Sequence, residues 1–205
     1  MRILAILFLF VAPAIGVAQA PAPNAATKSY HSDAMSFDFA YPATFNPPKG
    51  EDQDTSSPDA SCATVPLGLM DMKTSFNMIF LKQFDDACLK KKDAPASGLV
   101  VTATSFLTDT LGHFGKPVMS SNANYYVAGH TASAVSGVVK TSPENGNTTI
   151  YGAVSCVSTG SGIACFQFLS NECPNLALLS ASTVKFAGTV ASPIIPAGIG
   201  TPCKK

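Results

Sequence analysis

The sequence contains no C-x-x-C, no G-x-S-x-G, no H-E-x-x-H, no Walker-type G-x-x-x-x-G-K and no G-x-G-x-x-G. Those absences remove the local signatures of thioredoxin-type redox pairs, short-spaced zinc clamps, nucleophile elbows, zinc proteases, P-loops and dinucleotide folds. Charge is scarce as well: Asp, Glu, Lys and Arg make up 13% of the chain, thirteen acids against thirteen bases. A near-neutral surface carries no electrostatic footprint for nucleic acid or acidic lipid. The only basic runs, Lys90-Lys91-Lys92 and Lys204-Lys205, are short enough to be a solvated loop and a tail. Histidine is limited to His31, His113 and His130.

What is present begins with an export signal. MRILAILFLFVAPAIGVAQA combines a single charge at Arg2, an apolar run from Ile3 to Val11 and small residues around the expected cut. Cleavage is expected after Ala18, with the site after Ala20 competing, because Pro21 follows that second site directly. The run is shorter than the roughly 20 apolar residues of a spanning helix and holds Pro13, so no stable membrane insertion is expected once it is removed. The first cysteine is Cys62, too distant for a lipid-modified N-terminus. The expected location is therefore secreted or periplasmic. Hydrophobic residues reach 46% and include thirteen Phe, which favours one packed domain over disorder. The expected organisation is a signal peptide at 1–18, a flexible leader at 19–29, a single α+β domain at 30–190 and a Pro- and Gly-rich tail at 191–205.

Six cysteines, Cys62, Cys88, Cys156, Cys165, Cys173 and Cys203, form an even set behind this signal, and an oxidising compartment makes disulfides their default state. VSCVSTGSGIACFQF folds about the turn from Thr159 to Gly162, which sets Cys156 opposite Cys165, Val157 opposite Ala164 and Ser158 opposite Ile163. Directly opposed strand residues come within disulfide range, and a bridge over so short a loop contributes about 2 to 3 kcal/mol through chain entropy. Cys62 and Cys88 flank another expected hairpin and are the next candidate bridge, with Cys173 to Cys203 left as the third.

Periodicity supplies the elements. Phe37, Phe39 and Tyr41 alternate with small or polar residues as a half-buried strand ended by Pro42. Residues 43–60 read as a long surface loop. The stretch from Cys62 to Met72 carries Pro66 and Gly68, which marks an edge strand, and Ser75 to Phe84 reads as a strand. Leu99, Ala103, Phe106, Leu107 and Leu111 share a helix face, with Ser97 as the expected N-cap and Gly112 or Gly115 as the stop. Alternation returns from Tyr125 to Lys140, Glu144 to Asn147 forms a turn, and the Cys156 hairpin follows. Pro174 opens a second expected helix over Asn175 to Ser182, and Thr183 to Ala187 reads as a last strand. This order gives a mainly antiparallel sheet with helices packed on it, stapled by disulfides.

The succession of SFDFAYPATF, the strand at 75–84, the central helix, a Tyr-, Gly- and Ala-rich meander and the closing LLSASTVKF resembles the PsbP/Mog1-like superfamily. The matching residues are Phe37, Phe39, Tyr41 and Pro42 at one end and Ser182, Val184 and Phe186 at the other, over about residues 30 to 187. The resemblance implies an α/β/α sandwich and an accessory or binding role, and it transfers no catalytic residue. The six cysteines and the apolar tail depart from the usual pattern and point towards a secreted bacterial subgroup.

Individual side chains agree with a noncatalytic role. His113 beside Gly112 fits a cation near a helix C-terminus. His130 beside Gly129 is the main functional candidate, as the base of an unrecognised Ser/His site with Ser133 or Ser136, in a small secreted hydrolase. Met70, Met72 and Met78 suit a soft metal such as Cu(I) in a copper-handling protein, although alternating methionines more often pack. Asn147-Thr148-Thr149 is a glycosylation sequon in a eukaryotic host. No catalytic residue, cofactor or metal is assigned, and the leading expectation is an exported module that binds a protein or cell-envelope partner through a sheet face or the 43–60 loop.

Overall fold

The computed structural model describes residues 26–47, 62–71, 76–91, 98–143, 146–172 and 182–195. Along them run β1 (Thr27–Ser32), β2 (Phe37–Pro42), β3 (Ala63–Asp71), β4 (Asn77–Asp85), α1 (Asp86–Lys91), α2 (Leu99–Gly112), β5 (Val118–Val127), β6 (His130–Lys140), β7 (Thr149–Ser158), β8 (Gly162–Ser170), β9 (Thr183–Phe186) and β10 (Ser192–Pro193). Strands in the order β3-β4-β8-β7-β6-β5 make a six-stranded sheet, and β1-β2-β9-β10 make a four-stranded one. Each pairing is antiparallel.

Strand alternation sends each residue of the large sheet to one of two cores. One face contributes Ile79, Leu81, Ala134, Ala153, Val157 and Phe166, which cluster with Phe37, Phe39, Val184, Phe186 and Ile194 of the small sheet and the residue that follows it. Phe166 anchors this side, its ring 4.9 Å from that of Phe39 and 5.6 Å from that of Phe37. The other face contributes Val135, Val139, Val154, Cys156, Cys165 and Leu169, which pack under Ala103, Leu107 and Leu111 of α2. The i, i+4 spacing of those three residues is why the helix seats along one line. Gly152 lets it come close: a Cβ there would lie 2.6 Å from the Leu107 Cδ1 and 3.1 Å from Leu169.

The central helix spans the expected residues, but its first residue follows Gly98 without a side-chain cap. Ser97 lies outside the described residues. At the other end the His113 N–H donates to the Thr110 carbonyl and the Phe114 N–H to the Leu111 carbonyl, and Gly115 supplies the positive φ that releases the chain. The edge strand read from Pro66 is β3, and its register shifts between Thr64 and Leu67 where the proline sits.

Several expectations are corrected. Residues 27–29, expected in the leader, belong to β1, whose partner is β2. The expected tail is packed as far as it is described: Ser192 and Pro193 pair with β9, and Ile194 and Ile195 are buried. Lys90 and Lys91 end a helix, α1, in place of a loop, with Lys90 2.6 Å from Asp86. Ordered strand begins at Val118, seven residues before the expected alternation. The face opposite α2 is covered by the four-stranded sheet, where a second helical layer was expected. The expected helix at 175–182 lies outside the described residues except for Ser182, which immediately precedes β9.

Two disulfides form. Cys156 and Cys165 are opposed in register with Cα atoms 4.0 Å apart, and Cys62 joins Cys88 across 5.6 Å. No free cysteine remains among the described residues. Cys173 and Cys203, like residues 1–25, lie outside them. No helix among the described residues is long and apolar enough to cross a membrane.

A buried hydroxyl ties the C-terminal strand to the large sheet. The Tyr125 hydroxyl donates to the Ile194 carbonyl at 2.7 Å, so its oxygen accepts from the Ser155 hydroxyl. Burial pushes the Tyr125 pKa up to about 12. Stability that depends on the neutral phenol is therefore complete below about pH 10, the ordinary tyrosine value, and is lost as pH rises through about 12. Tyr125→Phe should cost about 1 to 3 kcal/mol, because it leaves a buried hydroxyl and carbonyl short of a partner, and it should flatten that alkaline decline in denaturant titrations. Replacing Cys156 and Cys165 together by Ala should lower the melting temperature by about 5 to 10 °C, read by circular dichroism.

Candidate functional site

Polar side chains meet at one end of the molecule, where the β1–β2 and β7–β8 turns approach the end of β4. A cleft of about 350 Å³ lies there, lined by His31, Ser32, Asp33, Gln83, Asp85 and Ser161 among others. Antiparallel register sets His31 opposite Asp38, and their side chains meet at 2.8 Å through Nδ1. The Nε2 of the same ring stands 3.3 Å from Asp33. The Asp38 hydrogen bond holds the imidazolium to a pH above the ordinary histidine value.

The cleft floor is fixed from below. Gln83 is buried and its Nε2 donates to the Ser32 hydroxyl at 2.7 Å, linking the two sheets. The Ser161 hydroxyl donates to the Ala34 carbonyl at 2.8 Å and so fastens one turn to the other. The Cys62–Cys88 bridge closes the far wall: the Asp85 N–H donates to the Cys62 carbonyl, and the Asp85 carboxylate accepts the Cys88 N–H as an N-cap of α1. This arrangement places the Asp33 and Asp85 carboxylates and a protonatable imidazole along one cleft.

The residues picked from sequence are dispersed. His130 opens β6 after the Ala128-Gly129 turn, where both residues have positive φ, 47° and 83°. That is the geometry of a type I′ turn. Its Nδ1 donates to the Ser158 carbonyl at 3.0 Å and its ring lies 3.9 Å, centroid to centroid, from Phe186. Ser133 is an odd number of residues along the same strand and faces α2, whereas His130 faces the small sheet. Ser133 donates to the Asn124 side chain at 2.5 Å. Ser136 shares the His130 face but lies six residues along, about 20 Å away at strand rise, and bonds Ser120 at 2.9 Å. The expected Ser/His pair is not assembled.

His113 sits at the end of α2 as expected and lines a separate cleft of about 450 Å³ with Phe76, Phe114 and Asn171. Met70 and Met78 are direct cross-strand partners, while Met72 lies outside the described residues. Asn147 is exposed at the β6–β7 turn with φ 51°. Sequence reading missed the His31 cleft because its signal is a register: His31 and Asp38 meet only when β1 exists.

No family model matches the chain, and no curated protein does. Among solved structures it is similar to the solution structure of cyanobacterial PsbP (CyanoP) from Synechocystis sp. PCC 6803, at 12% identity over 79% of this chain and 85% of that chain, with a TM-score of 0.45. The likeness is a distant, PsbP-like one of fold.

His31 titration should report the pairing. A raised histidine pKa stabilises below about 6.5, the unfolded value, and the contribution disappears as pH rises through the folded value. In NMR titrations His31 should lose its proton at higher pH than it does in Asp38→Asn. The extra stability of the parent protein over that variant should fade between mildly acidic and mildly alkaline pH.

Proposed function

We propose that this chain is an exported, noncatalytic binding module whose partner is a protein or cell-envelope component. In this reading the signal at 1–18 is removed, the mature protein starts at Gln19 in a secreted or periplasmic location, and the fold belongs with the PsbP/Mog1-like superfamily. Binding takes place at the turn end, where the His31 cleft lies, or through residues 43–60.

One observation carries the reading: β6 sends His130 and Ser133 to opposite faces of the sheet, with the imidazole Nδ1 and the serine hydroxyl each engaged by a structural partner. A nucleophile and its base must share a face within hydrogen-bond reach. The paired cysteines likewise support a stapled scaffold over thiol chemistry. A rigid frame that presents polar turn residues is the usual arrangement of a recognition site.

The test is a panel of ester and peptide substrates offered to the mature protein, alongside His130→Ala. The expected result is no turnover that distinguishes the two. Hydrolysis that vanishes in His130→Ala, with the circular dichroism spectrum unchanged, would overturn the proposal in favour of the hydrolase. Intact mass of the exported protein should begin at Gln19, and a chain retaining Met1 would remove the export claim.

A further inference from the structure

The two edges of the large sheet are treated differently. β3 is closed to further pairing: Pro66 removes a donor, the register shifts between Thr64 and Leu67, and Asn46 exchanges both main-chain hydrogen bonds with Met70, at 2.8 and 3.0 Å. β5 is the opposite edge, ten residues long, with neither proline nor charge in VMSSNANYYV. Its one irregularity is a register shift between Met119 and Ser121. Exposed apolar side chains gather on it, with Val118 63%, Met119 37% and Tyr126 76% accessible.

The turn at Ala128-Gly129 determines which main-chain groups of β5 face outward. A two-residue hairpin closes on a hydrogen-bonded pair, here Val127 with His130, so Tyr125 and Ala123 also bond towards β6. The N–H and C=O groups of Asn122, Asn124 and Tyr126 consequently point away from the sheet. Met119 and Tyr126 lie on the same face, the one under α2, since they oppose Gly137 and Thr131 of β6. The Thr108 hydroxyl of α2 stands 3.9 Å from the Met119 sulfur, on that face.

We propose that β5 is a self-association edge, at which two copies of this chain pair antiparallel about Ala123 into one continuous sheet. A twofold axis there sets Asn122 of one copy opposite Asn124 of the other, with their outward main-chain groups aligned. Because the register shift lies on one side of Ala123, the same axis sets Tyr126 opposite Met119 of the second copy on the helix face. Thus the two exposed apolar side chains at opposite ends of the strand cover each other twice. A second copy fits better than a charged partner strand because β5 presents no charge to repel itself, and α2 above it carries only Asp109. This surface is distinct from the His31 cleft, so its failure leaves the binding-module reading intact.

The test is sedimentation and light scattering of the mature, disulfide-bonded protein from micromolar to near-millimolar concentration. A reversible dimer is expected. Asn122→Pro, which removes an outward N–H, and Tyr126→Lys should each weaken it about tenfold or more, with circular dichroism confirming an intact sheet. The register is read by charge pairing: Met119→Glu mixed with Tyr126→Lys should form a mixed dimer tighter than either variant forms alone. A protein that stays monomeric throughout, leaving β5 to a strand of another protein or to none, overturns the proposal. Dimerisation unaffected by both variants, or no preference for the mixed pair, overturns it as well.

Discussion

The register of the β7–β8 hairpin is the constraint on which the other layers depend. Both strands are buried on both faces, and the faces serve different cores, phenylalanines towards the small sheet and aliphatic side chains towards α2. Since the side-chain period is two, a slip of one residue would carry Phe166 under the helix and Cys165 among the aromatic rings. The Cys156–Cys165 bond forbids that slip at the centre of the sheet. It also keeps Gly152 beneath Leu107, where the missing side chain lets the helix lie down.

A second consequence of that register is the placement of polar groups. The hairpin ends at Thr159 to Gly162, and its Ser161 holds the β1–β2 turn through Ala34. The disulfide at Cys62 and the cap at Asp85 brace the same end from the β3–β4 side. Apolar packing thus fills the middle of the structure and leaves polar chemistry to a rim whose parts are separately tied down. The His31 and Asp38 side chains occupy that rim because their strands pair there, independently of the core.

Elements whose own residues encode burial were legible in the sequence. Phe37, Phe39 and Tyr41 alternate as a strand does, Ala103, Leu107 and Leu111 step as a helix does, and the palindromic spacing about Thr159 to Gly162 fixed the cysteine pairing. Pro66 announced an edge. Elements defined by their neighbours were not legible. β1 is mostly exposed and lacks alternation, so its existence depends on the β2 edge. The first half of β5 does not alternate because its register shifts between Met119 and Ser121, and its turn uses Ala128 where Asn would have signalled a hairpin. His130, singled out through its neighbouring glycine, lies outside the His31 cleft, and its Phe186 ring contact crosses from one sheet to the other and has no local trace. The His31 cleft is assembled from four separate segments, and no single segment carries its pattern.

The small sheet joins the ends of the described chain: β2 near its beginning pairs with β9 near its close, residue by residue from Phe37 with Phe186 to Ala40 with Thr183. Until β9 emerges, Phe37, Phe39 and their partner Phe166 have no complete cover. Closing so long a loop is slow compared with making the hairpins between. In a chain delivered N-terminus first, this face of the large sheet therefore stays incompletely covered until β9 has arrived. Such a late-closing topology makes β9 the latch of the small sheet.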